Sequence, residues 1–250
     1  MSPLPLTLPN MSRSEDNTGK LYLIPSPLGE NDPAEVIPAP VLARLQQIRV
    51  YVAEEVRTVR RYLSRAGLKG HIEELEFHTL NEHTTPQEVE SYLRLFDDGQ
   101  DVGLISEAGL PAVADPGAAL VALCQRHGIE VVPFVGPSSL MLALMASGLN
   151  GQCFAFRGYL PAKTEERRSA LRSLEKRSAA ERETELFIET PYRNDAMVAD
   201  LLATLRDTTR LTLAADITLP TQWIHTHTVR EWKALKPLVG KRPCVFLILA

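Results

Sequence analysis

Cysteine is scarce in these 250 residues: Cys124, Cys153 and Cys244 are odd in number and far apart. That spacing excludes a disulfide framework and a Cys-x-x-Cys metal or redox pair, so each reads as a small core residue. No apolar run is long enough to cross a bilayer, which excludes a membrane-spanning helix. Met1 to Lys20 has no continuous apolar stretch behind a basic start and is not a secretory signal. Residues 1–19 are expected to form a flexible tail on a soluble, cytoplasmic protein. An excess of positive charge is missing too: with net charge -4 and a pI near 5.9, any nucleic-acid contact must come from a local patch. The first apolar run is followed by PSPLGENDP, not by GxGxxG, and no lysine-bearing phosphate loop occurs, which disfavours nicotinamide and nucleotide-triphosphate enzymes.

What is present is a regular alternation. Short apolar runs at Leu21 to Ile24, Val50 to Ala53, Leu75 to Leu80, Val102 to Ile105 and Ile129 to Phe134 read as strands separated by helical spacing. Such alternation predicts an α/β fold with a mostly parallel sheet covered by helices on both faces. After Asn150-Gly151 the rhythm changes to a long charged helix, Thr164 to Ala180, and then strands at hairpin-like spacing. The expected organisation is an N-terminal α/β domain over 20–150 and a C-terminal α/β domain with a mixed sheet over 151–250.

The strand ends carry the unusual chemistry. Val102 to Ile105 breaks into Ser106-Glu107-Ala108-Gly109-Leu110-Pro111, a polar turn in the place where open α/β sheets hold ligands. Gly109 allows close backbone approach, and Asp115-Pro116-Gly117 reads as a helix start with Asp115 as N-cap. The loops PSPLG and GPSS end two other strands in the same way, and all three can offer amides and hydroxyls to a small polar ligand. A well-made strand-to-helix connection uses the same residues.

The loops PSPLG, AEEVR, SEAGLPAVADPG, VGPSS, GYLPAK and FIETPYR follow one another in an order and at a spacing that resemble the tetrapyrrole methylase superfamily. Within it, the chain is similar to the branch of S-adenosylmethionine-dependent methyltransferases that modify a cytidine ribose 2′-hydroxyl in small-subunit ribosomal RNA. The resemblance covers nearly everything after Lys20. It implies two α/β domains with S-adenosylmethionine in the cleft between them, and a homodimer. It places Pro27, Ser106, Ala108, Gly109, Leu110, Val113, Ser138, Ser139 and Glu189 at or beside the cofactor, and matches Glu54 to a catalytic acid of other branches. Two motifs depart from the usual AEDTR and SDAGTP: here they read Ala53-Glu54-Glu55-Val56-Arg57 and Ser106-Glu107-Ala108-Gly109-Leu110-Pro111.

Methyl transfer from a sulfonium is an in-line displacement, and a ribose hydroxyl as acceptor benefits from a base. Glu54, Glu107 and Asp115 are candidates, with Arg57 orienting a phosphate or the base; the other reading makes Glu54 and Glu55 first-turn helix acids. Two basic stripes compete as RNA contacts. Arg57, Arg60, Arg61 and Arg65 lie beside the proposed site, whereas Arg168, Arg172 and Lys176, near Lys163 and Arg167, are interspersed with acids that suggest a salt-bridged helix face. His225 and His227 point to one face of a strand, with no third metal ligand identified. Trp223 and Trp232 read as packing residues, and Tyr192 beside Arg193 as a candidate substrate contact. A tetrapyrrole-like small molecule as acceptor, or a cofactor-binding protein without turnover, are the rival readings.

Overall fold

The computed structural model describes residues 19–250, so the expected tail lies outside the described residues apart from Gly19. By contacts the chain divides into two units, one of 19–26 and 37–136, the other of 27–36 and 137–250.

The first unit is built on β1 (Leu21–Ile24), β2 (Val50–Ala53), β3 (Glu76–Thr79), β4 (Val102–Ile105) and β5 (Val131–Pro133), ordered β3-β2-β4-β1-β5. Every pairing in this sheet is parallel. Alternation along the strands decides which face each residue serves. Leu21, Val50, Val52, Val102 and Leu104 pack with Val89, Leu120 and Leu123 on one side. Tyr22, Ile24, Tyr51, Ala53 and Ile105 pack with Leu45, Val59 and Leu63 on the other. Those partners come from α2 (Ala39–Leu45), α3 (Val56–Leu63), α4 (Pro86–Ser91) and α5 (Ala118–Arg126), so helices cover both faces. Each fully buried aliphatic or aromatic side chain contributes about 1.5–3 kcal/mol through removal from water.

α4 is capped by Thr85 and Glu88 in a reciprocal capping box and gives way after Ser91 to a 3-10 segment. One helix differs from the sequence reading: α5 begins at Ala118 behind Gly117, not at Pro116, because Asp115 is spent on the preceding loop.

The second unit contains α1 (Pro33–Val36), α6 (Ser139–Ser147), β6 (Phe154–Tyr159), α7 (Thr164–Glu181), β7 (Thr184–Ile188), α8 (Asn194–Thr204), β8 (Arg210–Ala215), β9 (Trp223–Thr228), α9 (Val229–Leu235) and β10 (Cys244–Leu249). Its sheet runs β6-β7-β10-β8-β9 and is mixed: β6 and β7 are parallel, and the remaining pairs antiparallel. Leu171, Met197, Val198, Leu201 and Trp232 from α7, α8 and α9 bury one face. Leu140, Ala143 and Leu144 from α6 bury the other. That packing moves the division from the expected Asn150-Gly151 to Gly136/Pro137, because α6 belongs with the second sheet.

Candidate active site

The registers of the first sheet bring three chain segments level. Ala53 lies opposite Ile105, and Ile105 opposite Ile24. Glu54, Ser106 and Pro25 are therefore the next residues beyond one rung of three adjacent parallel strands, spaced by about 4.8 Å from strand to strand. The segments after β1 and β4 are then stitched together. The Ser26 amide donates to the Gly109 carbonyl (2.9 Å) and the Gly109 amide to the Ser26 carbonyl (3.1 Å). The Ser26 hydroxyl donates to the Ser106 carbonyl at 3.2 Å, and the Tyr62 hydroxyl to the Pro25 carbonyl at 2.9 Å. Gly109 holds φ +78°, the conformation that glycine adopts without the steric cost of a Cβ.

Beyond Gly109 the loop is strained. Ala112 and Ala114 both take positive φ, 64° and 56°. Non-glycine residues persist there only when their surroundings hold them, a pattern that clusters at ligand sites. The holding group is Asp115: its Oδ1 accepts the Ala112 amide at 3.0 Å and the Gly117 amide at 2.7 Å. A Cβ at position 117 would stand 2.6 Å from that oxygen, so glycine is what lets the amide reach it.

Glu54 and Glu55, ambiguous in sequence, separate in the structure. Glu55 is the N-cap of α3, accepting the Arg57 amide at 3.1 Å and the Thr58 amide at 2.7 Å. Those bonds hold its carboxyl below the usual range. Glu54 precedes the helix and is half-buried. Burial, the charges of Asp115 and Glu107, and a carboxyl contact with Asp115 push its pKa up, against a hydrogen bond from the Glu107 amide. Ser106, Gly109 and Pro111 are buried, Leu110 is half-buried, and Ala108 and Val113 are exposed.

The remaining expected cofactor residues belong to the second unit. Pro27, Ser139 and Glu189 are followed or preceded by Leu28, Leu140 and Ile188, and these three pack in one cluster with Ile217. Three motif loops thus converge on a common apolar base. Ser138 is the N-cap of α6, its hydroxyl accepting the Met141 amide at 3.4 Å. Glu189 is 5% exposed. Its Oε1 accepts the Thr190 amide (2.7 Å) and the Arg193 guanidinium (2.6 and 2.9 Å), whereas its Oε2 is buried and has no partner among the described residues. Sequence reading missed Asn31 and Thr218. The Asn31 amide donates to the Thr218 carbonyl at 2.7 Å, tying the loop that begins at Pro27 to a segment in which Asp216 and Thr218 both have positive φ. The signal available was the polar Glu30-Asn31-Asp32 run inside an otherwise Pro/Gly-shaped loop.

Residues 20–233 match the family model of tetrapyrrole (corrin/porphyrin) methylases. The chain belongs to that family.

This methylase is 34% identical over 220 residues to ribosomal RNA small subunit methyltransferase I of Escherichia coli O157:H7, covering 88% of the chain and 73% of the relative. The protein of the same name from Pasteurella multocida is 33% identical over 234 residues, 92% of the chain and 79% of the relative. Among solved structures, the methyltransferase CobJ superposes with a TM-score of 0.61 at 19% identity, over 92% of this chain and 94% of that one. Uroporphyrin-III C-methyltransferase of Thermus thermophilus, complexed with S-adenosyl homocysteine, gives a TM-score of 0.57 at 20% identity, over 92% and 97%. These structural likenesses establish the two-sheet fold. The methylase is an S-adenosylmethionine-dependent methyltransferase, and its residues fit that cofactor. The buried, unpartnered Oε2 of Glu189 is an acceptor awaiting an N–H or O–H donor, of which the cofactor's ammonium, ribose and adenine have several.

The basic stripes do not survive intact. Arg60 is paired with Glu73 and lies over the Phe77 ring at 5.5 Å, and Arg61 reaches the Thr58 hydroxyl at 3.4 Å. Arg57 is exposed, and its guanidinium makes no close ion pair among the described residues. On α7, Arg167 is buried against Asp200 and donates to the Ala162 carbonyl at 2.6 Å, while Arg168 binds the same Asp200 at 2.7 Å. The start of that helix is bridged to Asp200 of α8, Lys163 meets the interspersed acid Glu166 at 3.2 Å, and Arg172 and Lys176 of the stripe face outward.

Proposed function

We propose that this methylase transfers a methyl group to a ribose 2′-hydroxyl of small-subunit ribosomal RNA. The observation that carries the reading is the name shared by its curated relatives, at about one-third identity over most of the chain. The chemistry of the first unit is in keeping with it. S-adenosylmethionine, when bound, supplies an electrophilic methyl on a sulfonium. Glu54 takes the proton of the acceptor hydroxyl: its raised pKa makes it a stronger base than an ordinary carboxylate and so better matched to a weakly acidic alcohol. Asp115, immobilised by two loop amides, fixes the carboxyl of Glu54 from one side, and the Glu107 amide holds it from another. Arg57 offers an uncommitted guanidinium to a phosphate one helical turn away from that carboxyl. Ser106, Ala108, Gly109, Leu110, Val113, Pro27, Ser138, Ser139 and Glu189 are the cofactor residues of this reading, as the resemblance to the family assigns them.

An RNA substrate makes the enzyme cytoplasmic. A homodimer is part of the same reading: α6 is apolar on all sides, and Met145, 77% exposed, stands one turn beyond the exposed Met141. Light scattering of the purified protein tests the dimer.

The substrate test is transfer of labelled methyl groups to small ribosomal subunits from a strain lacking the protein, beside a tetrapyrrole acceptor. Labelled RNA supports the reading; label on the tetrapyrrole alone replaces it with the small-molecule one.

A further inference from the structure

β9 is an edge strand of the second sheet, and alternate positions on it carry Trp223, His225 and His227. Their partners on β8 are Ala215, Leu213 and Leu211, so the three rings share the face that carries the larger core cluster. They form a ladder along the strand. The Trp223 and His225 centroids are 5.0 Å apart, and the His225 and His227 rings are 6.3 Å apart and nearly parallel, at 9°. Trp232 backs the ladder from α9, meeting Trp223 at 5.8 Å and His227 edge-on at 4.6 Å. It is itself locked, buried with its indole N–H donated to the Leu211 carbonyl at 2.8 Å. The middle ring is the open one: His225 is exposed, whereas Trp223 and His227 are half-buried. A pure packing role would put aliphatic side chains opposite Leu213 and Leu211, because imidazoles carry polar nitrogens that gain nothing from an apolar face.

Charge says what the ladder suits. From Trp232 to the last residue the chain has four cations, Lys233, Lys236, Lys241 and Arg242, and no acid. The Arg242 guanidinium lies over Trp223, 5.4 Å from the ring centroid. Lys236 and Lys241 are exposed and make no ion pair among the described residues. The neighbouring acids are already engaged. Glu231 caps α9 through Thr228 and lies 4.0 Å from the His227 Nδ1, Asp207 is held by Lys233 at 2.6 Å, Asp195 accepts the Val239 and Gly240 amides at 2.8 and 2.9 Å, and Asp216 faces Arg242 at 3.9 Å. Arg242 covers Trp223 and Trp232 meets His227 edge-on, which leaves the exposed His225 as the ring that a base of single-stranded nucleic acid can reach, while the exposed Lys236 and Lys241 of the same C-terminal segment are free to take phosphates.

We infer that the Trp223-His225-His227 ladder, with Arg242, Lys241 and Lys236, is an accessory surface on which unpaired bases of the RNA substrate stack. It rests on the ribosomal RNA reading and adds to it a second contact area, built on elements that carry none of the proposed methyl-transfer residues. It supplies affinity that the acidic net charge of the chain does not.

Binding of deproteinised small-subunit ribosomal RNA to the full-length protein tests it, measured for the parent, His225→Ala, His225→Phe and Lys241→Glu. Removing the exposed ring is expected to raise the RNA Kd about tenfold, the size of one base stack. His225→Phe, which keeps a ring, stays within about twofold of the parent, and Lys241→Glu weakens binding and flattens its salt dependence. The S-adenosylmethionine Kd, measured by calorimetry, stays at the parental value in all three, which excludes misfolding as the cause. Unchanged RNA affinity in both His225→Ala and Lys241→Glu overturns the inference, as does an equal loss in His225→Phe. Dissociation of a dimer as the only change assigns the surface to a second copy of the chain and overturns it too. A parent protein that binds and methylates no ribosomal RNA overturns the substrate reading itself, an outcome visible before any variant is made.

Discussion

Glu54 and Ser106 stand one residue beyond the same rung of two adjacent parallel strands, because Ala53 of β2 lies opposite Ile105 of β4. A one-residue slip would turn the alternating core residues of β2 to the wrong face, so burial of Val50 and Val52 on one side and Tyr51 and Ala53 on the other fixes where Glu54 emerges. Glu55, the next residue, satisfies the first amides of α3. Glu54 is thereby left out of helix capping and beside Asp115 and Glu107.

That placement has a cost in stability with a definite pH signature. The folded chain raises the Glu54 pKa above its ordinary 4.5, so the folded state holds this proton more tightly than the unfolded one. The stability linked to this group is therefore fully present below the ordinary value and lost as pH rises through the raised one. Glu54→Gln, which never ionises, is expected to melt above the parent at about pH 8 and level with it near pH 4. Calorimetric melting across that range checks it; a variant less stable than the parent at high pH contradicts the assignment.

Gly109 combines φ +78° with both backbone groups bonded to Ser26. Gly109→Val places a β-branched side chain in a conformation it strongly disfavours, costing about 1–3 kcal/mol locally and displacing the loop. S-adenosylmethionine affinity should fall at least about tenfold by calorimetry. Parental affinity would remove this loop from the cofactor site.

Much of this is legible in the sequence, and the reason is local. Strand ends at Ile24, Ala53 and Ile105 follow from apolar runs that stop at Pro or a polar residue, and these same strands put the loops at one end of a parallel sheet. The mixed second sheet follows from hairpin-like spacing. What sequence does not separate is Glu54 from Glu55, since both suit a first helical turn and only the backbone at Glu55, φ -128° and ψ 105°, makes that residue the cap. Asp115 resembles a helix cap because Asp-Pro-Gly commonly begins helices. Its carboxylate instead bonds across the loop to two amides, one of them on a residue whose positive φ no pattern announces. The side of the division on which α6 falls is decided by tertiary packing of an apolar helix with no polar face, which periodicity does not encode.

The arginines of α3 differ in what they are already bound to. Arg57→Glu with Arg61→Glu is expected to weaken RNA binding and reduce the salt slope by about 0.7–0.9 for each phosphate no longer neutralised. Arg60→Glu alone should change the slope less, because that guanidinium is engaged by Glu73 and Phe77. Equal slopes for the parent and the Arg57, Arg61 double variant in filter-binding titrations would sink the patch.

Arg167 and Asp200 form a buried pair that holds α7 to α8. Removing one partner leaves an uncompensated buried charge, so Asp200→Ala should cost about 3–5 kcal/mol in denaturant unfolding. Arg172→Ala, on the outward face of the same helix, should stay within about 0.5 kcal/mol of the parent. Similar losses for both would contradict the inward assignment of Arg167.

The most direct measurement is mass spectrometry of nucleosides from small-subunit ribosomal RNA of a strain lacking the protein, after incubation with S-adenosylmethionine and either the parent enzyme or Glu54→Gln. The account predicts a ribose-methylated nucleoside with the parent, and a rate about 100- to 10,000-fold lower with the variant at saturating cofactor. Its acid limb in the parent should lie above pH 4.5, in the direction of the raised Glu54 pKa. Methylation on a base, no methylated RNA, or an undiminished rate with Glu54→Gln would contradict it.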